Sequence, residues 1–390
     1  KLLSDAGTSL EGFSAMRSLY NALLIVHEAS RSPSPMLRAR ALGLRGLLRS
    51  VGLLRGGTQR GLDELESAWS TADRLGDLHE RTDLRRQIAA AHYVHGNARG
   101  ALESAERCEA DLRVLPLPPR DLHRVMGVVG CMLWNLGELR EARRRWTGFS
   151  HEAHHRRDVM TSFWIHANPA QLILLMASDD KSAASAMLEK QQRLCALHPH
   201  YKFLSWARAI GLGEHELYWG DPSAALGVVD AHWEQLTNVG YTLFDLHSHM
   251  LRARATQARA AELGRGRERE RLLRRAQSIT RSVRYRHRDP FGSAAASLLS
   301  ASNAALRNRS RVALKHLDLA IAILEQRNEV MAACALYCKG ALLGGARGLH
   351  LRVNAQQVLT AQDIVAPERW IRWVLPGFRS FVESDVASSR

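Results

Sequence analysis

The sequence predicts an all-α protein, a right-handed α-solenoid of about eight helical hairpins. Three observations predict it. Apolar residues recur at helical spacing along most of the chain, and no stretch alternates at period two. Alanine, leucine and arginine are abundant while prolines number only 11, so most side chains lose little rotamer freedom in a helix. A glycine, asparagine or aspartate turn, followed five residues later by a small side chain, recurs through the chain.

Residues 125 to 153 give the clearest unit. Val125, Val128, Val129, Met132, Leu133 and Leu136 follow helical spacing, Gly137 interrupts it, and Leu139, Ala142, Trp146, Phe149 and Ala153 resume it. Glycine suits the turn because the chain leaves the first helix in a left-handed conformation that a Cβ disfavours. Ala142 is placed where the paired helices approach most closely, and Trp146 points the same way one turn later.

The same order recurs as Gly96, Ala101, Ala105; Asp179, Ala184, Leu188; Gly220, Ala225, Val229; and Asn308, Ala313, Leu317. Weaker forms turn at Gly56 and Gly57, at Gly264, and at Gly344 and Gly345. The turns come about every 40 residues, a spacing typical of helical-hairpin arrays. Between hairpins, proline stops a helix at Ser32-Pro33-Ser34-Pro35, at 115–119, at His198-Pro199 and at Asp289-Pro290. None of these breaks is long enough to be a flexible linker. Residues 1–35 read as an N-terminal helix ending a preceding unit, 36–364 as the array, and 365–390 as a capping helix and tail, with Trp370, Ile371 and Val374 sealing an apolar end.

The unit resembles the tetratricopeptide repeat, whose pattern has a turn glycine, an alanine five residues on and a bulky apolar residue four beyond that. The consensus tryptophan, tyrosine and closing proline are mostly missing, and the period exceeds the usual ~34 residues. Ala366-Pro367-Glu368-Arg369 and Leu375-Pro376-Gly377-Phe378 are similar to the tail of the C-terminal arrays in multidomain bacterial Ser/Thr protein kinases. That resemblance implies a bacterial signalling parent, with kinase and ATPase domains upstream of Lys1, and the chain is expected to be cut from a longer protein.

At 46% hydrophobic and 24% charged residues, the composition is that of a folded protein. The charge of +15, with a pI near 10.3, raises nucleic acid or an anionic membrane as the partner. Nearly all of it is arginine, spread through every segment and interleaved with glutamate or aspartate, which weighs against that partner. The densest basic run, Arg265 to Arg288, reads first as a solvated helix face and second as a dock for an acidic partner. The five cysteines are scattered within helical patterns, which suits a reducing cytoplasm. No apolar window approaches the ~18 residues that a membrane span needs.

Several motifs match catalytic patterns in letters only. His151-Glu152-Ala153-His154-His155 has the zinc-hydrolase spacing, but the buried face of its helix is taken by Ala142, Trp146, Phe149 and Ala153. His287-Arg288-Asp289 and Asp289-Pro290-Phe291-Gly292 superficially match kinase motifs, yet a kinase separates them by roughly twenty residues. No phosphate-binding glycine loop with its lysine occurs. Cys334 and Cys338 have no second ligand pair and read as core.

The expected function is therefore a protein-interaction scaffold or sensory module, without enzyme activity or cofactor, holding a protein or peptide in a concave groove. Its partners would include the kinase or ATPase domains of its own parent chain. Tyr93, Trp134, Trp164 and Trp206 are the candidate groove residues, since aromatics dominate binding hot spots, though the core is the first reading of each and the groove the second. The alternatives are the ligand-sensing array of an ATP-dependent transcription regulator and a zinc hydrolase using His151, Glu152 and His155.

Overall fold

The computed structural model describes residues 15–50, 53–55, 57–115, 122–158, 163, 165–166, 168–199, 202–237 and 242–382, and every regular element among them is helical. The chain is all-α. It divides into two compact units, one comprising Lys1–Leu133, Trp146–Ile165 and His198–Phe203, the other Trp134–Arg145, His166–Leu197 and Leu204–Arg390.

In the first unit, α1 (Ala15–Ser30), α2 (Pro35–Ser50), α3 (Gly57–Arg74), α4 (Leu78–Val94) and α5 (Ala98–Val114) each pack on their sequence neighbours. Helices α2 and α3 approach closely enough that Gly46 and Gly61 stack backbone on backbone; a Cβ on either would lie 2.6 Å from the other's carbonyl oxygen. In α6 (Leu122–Leu136), Gly130 faces Trp146 of α7 (Leu139–His155), and a Cβ there would overlap the indole. The bulky member of the repeat pattern thus fills the space that a glycine leaves.

In the second unit, α8 (Pro169–Ala177) pairs with α9 (Lys181–Leu197). The hairpins that follow are α10 (Lys202–Trp219) with α11 (Pro222–Ala231), α13 (Thr242–Glu262) with α14 (Arg267–Arg286), α15 (Pro290–Leu306) with α16 (Ser310–Leu324), and α17 (Glu329–Leu343) with α18 (Gly345–Ala361). The short α12 (Trp233–Thr237) packs on α13, and the chain closes with α19 (Pro367–Val374) and a 3-10 turn, Pro376–Phe378. Asn97, Asn168, Asp221, Asp289 and Asn328 cap their helices by accepting from backbone N–H groups. Asp289 and Phe291 of the kinase-like string are therefore a cap and a buried core residue.

The small residues expected at close helix approaches are buried: Ala101, Ala184, Ala225 and Ala313 are 0% exposed and Ala142 is 1%. The turns at Gly57, Gly96, Gly137, Asp179, Asn308, Gly344 and Gly345 are left-handed, with φ between +53° and +77°. Gly220 is not. Its backbone lies outside the left-handed region, and a Cβ there would meet only the movable Glu216 carboxylate closer than 3.0 Å. Gly56 lies outside the described residues.

The C-terminal segment packs far beyond the last hairpin. Trp370, Ile371, Trp373, Val374, Leu375 and Phe378 are all buried. Besides α17 and α18, the segment touches α10, α13 and α15: Trp373 bonds Glu214, Arg254 bonds the Trp373 carbonyl, and Gly377 N–H donates to Ser302 Oγ at 2.7 Å. Val365 N–H also donates to the Ala177 carbonyl at 2.8 Å. The first helices of four successive hairpins therefore share one partner, which is the chain's own terminal segment of α19 and the 3-10 turn.

Candidate functional site

Three groups in the second unit carry chemistry. The first is the face beneath α19. Arg254 donates to Glu214 Oε1 at 2.5 Å, Trp373 Nε1 donates to Glu214 Oε2 at 2.7 Å, and the Arg254 guanidinium lies 4.7 Å over the Trp373 ring. All three are buried, so the ion pair, the indole hydrogen bond and the cation–π contact act where little water screens them. Trp370 stands edge-on to Trp373 at 4.8 Å and to Tyr218 at 6.2 Å, and burial pushes the Tyr218 hydroxyl pKa upward. Asp179, at the α8–α9 turn, accepts from Trp219 Nε1 at 2.8 Å and pairs with Arg369.

The sequence-predicted groove residues divide accordingly. Trp134 stacks on His247 at 4.5 Å in this inner cluster and is half-buried. Trp206 is 2% exposed, with its indole N–H bonded to Ser248 Oγ at 3.1 Å and its ring tilted against Phe244, so it belongs to the core and presents no surface to a partner. Tyr93 is half-buried on α4 of the first unit. Trp164 lies outside the described residues.

The second group is Asp245, His249 and His287. Asp245 and His249 sit one turn apart on α13, and His287 ends α14. His287 Nε2 is 3.1 Å from Asp245 Oδ2, and His249 Nδ1 donates to the Asp245 carbonyl at 2.9 Å. One ligand atom from each falls within 4.8 Å of the others, the only such set among the described residues. Burial pushes the Asp245 pKa up, but the His287 hydrogen bond and the nearby His249 and Arg286 outweigh it and hold the carboxyl below its usual value. As it stands, the trio is a hydrogen-bonded clamp between α13 and the end of α14, with Arg286 3.7 Å from the carboxylate.

The zinc-like string does not assemble. His151 and His155 are exposed, and Glu152 accepts from both terminal nitrogens of Arg113 at 2.9 Å and from Arg156 at 3.0 Å. Cys334 and Cys338 are fully buried, and burial raises both thiols, which keeps them protonated and inert.

The third group is a cleft of about 380 Å³ walled by α14 and α16 with α15 at its floor. Helix α14 contributes Glu270, Arg274, Gln277, Arg281 and Arg284, spaced four, three, four and three residues apart and hence on one face. Arg307 from the end of α15, and Arg309 and His316 from the α16 side, face them. Five arginines meet one glutamate, and Glu270 pairs with Arg307 at 2.8 Å. Arg284 reaches Ser300 Oγ at 3.2 Å, while Arg274, Arg281 and Arg309 are exposed and have no carboxylate partner among the described residues. Thr280, Ser300 and Asn303 form a polar floor, where Asn303 Oδ1 is buried without a hydrogen-bond partner. Elsewhere along this basic helix Arg275 pairs with Asp230 and Arg286 with Asp245, so the open charge is confined to the cleft face. The stripe was available in the sequence as arginines at 274, 281 and 284; what the sequence did not give was the facing helix.

No protein-family model matches this sequence, and no curated protein is significantly similar to it.

Proposed function

We propose that this chain is a protein-binding regulatory module of tetratricopeptide-like hairpins that docks an acidic segment of a partner protein in the arginine cleft between α14 and α16. The observation that carries the reading is the cleft's unbalanced charge: three arginines without a carboxylate partner line one concavity, and anionic side chains would complete pairs that the protein leaves open. Arginine suits this function because its planar fork engages carboxylates bidentately.

The inner face supports the same reading by elimination. In arrays of this kind the first helices of the hairpins line the peptide groove, and in the second unit those helices already hold α19. The outer cleft is where a partner finds open, complementary charge. The likeness of the terminal segment to signalling-kinase arrays favours a partner in the same signalling chain, with the acidic segment supplied by the kinase or ATPase part of the parent.

Fluorescence anisotropy with a labelled peptide rich in glutamate and aspartate tests this. Wild-type protein should bind it saturably, and the double change Arg281→Glu with Arg309→Glu should weaken binding by about tenfold or more. Arg265→Glu, outside the cleft, should leave it unchanged. Equal affinity for wild type and the double variant would refute the assignment, as would a clear preference for a nucleic acid of matched charge.

A further inference from the structure

A second, smaller cavity lies beneath α19, independent of the arginine cleft. Its volume is about 50 Å³, room for roughly four water-sized atoms. Its walls are mostly apolar and aromatic, including Trp134, Met250, Phe291, Leu298 and Met331. Three of its lining residues, from α13 and α19, each carry a buried side-chain nitrogen without a hydrogen-bond partner among the described residues: His247 Nε2, Arg254 Nε and Trp370 Nε1. His247 is 9% exposed, Arg254 7% and Trp370 2%.

Buried polar nitrogens without a partner are uncommon because leaving one unpaired forfeits the hydrogen bond it had in water. Three around one cavity are a stronger signal, since an apolar pocket with a few convergent polar groups is the usual form of a small-molecule site. We propose that this cavity binds a small neutral molecule bearing a carbonyl or hydroxyl group, which accepts from Arg254 Nε–H and Trp370 Nε1–H and exchanges a hydrogen bond with His247 Nε2.

The charge balance selects a neutral ligand. Arg254 is already neutralised by Glu214, whose carboxylate also holds Trp373, so the site offers no spare positive charge. A carboxylate entering it would be a buried, uncompensated anion beside Glu214, which is far costlier than a neutral acceptor of the same shape. Because Trp370, Trp373 and Val374 of α19 form part of the wall, a bound molecule would also tighten the seat of the terminal helix.

Acetamide and acetate are matched probes, alike in size and different in charge. With 15N-labelled full-length chain, the indole N–H resonances of Trp134 and Trp370 report directly on the cavity. Acetamide should shift the Trp370 indole saturably, with a half-point in the millimolar range expected for so small a ligand, while acetate should not shift it at matched concentration. Trp370→Phe, which removes the donor and keeps a ring, should weaken acetamide binding several-fold at the Trp134 reporter. Ala295→Val, which fills the cavity and leaves the polar groups in place, should abolish it. Absence of any saturable shift with acetamide would mean that the cavity holds water alone, and equal shifts with acetate would remove the charge argument; either result overturns the proposal.

Discussion

The indole of Trp373 donates to the Glu214 carboxylate at 2.7 Å, joining residues 159 positions apart. The same carboxylate holds Arg254, so a single buried anion ties α10, α13 and α19 together. Removing one partner of such a set leaves the other charge stranded, and Glu214→Ala is predicted to cost about 3–5 kcal/mol. Glu214→Gln, which keeps the bulk and one of the two acceptors, should cost less. Urea unfolding monitored by tryptophan fluorescence measures both; a loss below about 1 kcal/mol for Glu214→Ala would contradict the burial and pairing described.

Two glycines predict opposite outcomes for the same substitution. Gly137 has φ +77°, and a Cβ would lie 2.8 Å from Asn328 Oδ1 and 3.0 Å from Val330 N. Strain and overlap together predict a loss of about 2–3 kcal/mol for Gly137→Ala. Gly264 lies outside the left-handed region with open space around it, so Gly264→Ala should be neutral or raise stability slightly by restricting the unfolded chain. Melting temperatures of the two variants suffice to compare them.

Stability should fall as pH drops below about 6.5. His247 is stacked on Trp134, and burial, followed by the charges of Arg254 and His287, lowers its pKa to about 3. Between its ordinary value of 6.5 and that lowered value the unfolded chain binds a proton that the folded chain does not, so acid favours unfolding throughout this window. One such group gives a slope of up to about 1.4 kcal/mol per pH unit. His92, His166, His249 and His316, lowered chiefly by burial, act in the same direction. His247→Phe should make the profile shallower by about one proton; an unchanged slope from pH 6 to pH 4 would count against its buried, neutral state.

Much of this architecture was legible in local sequence, and the reason is that hairpin geometry is local. Left-handed turns at Gly96, Gly137, Asp179 and Asn308, and the buried alanines five residues beyond them, follow from the backbone a helical turn requires and the space its partner leaves. Gly76, Arg157 and Asp363 make similar left-handed turns between hairpins or before α19, and the residues five beyond them, Arg81, Ser162 and Glu368, do not repeat the alanine. The seat of α19 was not legible. Trp370, Ile371, Trp373 and Val374 mark a helix with an apolar face, but that face meets Tyr218, Glu214 and Arg254, more than a hundred residues away, and periodicity holds no record of such a partner. For the same reason Trp206 read as a groove candidate when its ring closes on Phe244.

Docking at the arginine cleft is predicted to be strongly salt-dependent. Arg274, Arg281 and Arg309 are exposed, so their attraction for an acidic peptide acts through solvent and weakens with ionic strength. Affinity should drop steeply as salt rises from about 0.05 M to about 0.5 M, where the screening length falls to a few ångströms. Titrations across that range that superimpose would indicate apolar contact in place of charge.

Hydrogen exchange read by mass spectrometry, with and without the acidic peptide, tests the whole account at once. The amides of 367–378 should be protected in both states as strongly as those of α13, because α19 fills the inner face and stays there. New protection on adding peptide should fall on α14 and α16. Rapid exchange of 367–378 in the free protein, or its release when peptide binds, would show that the inner face is the docking groove and that the terminal helix only occupies it in the partner's absence.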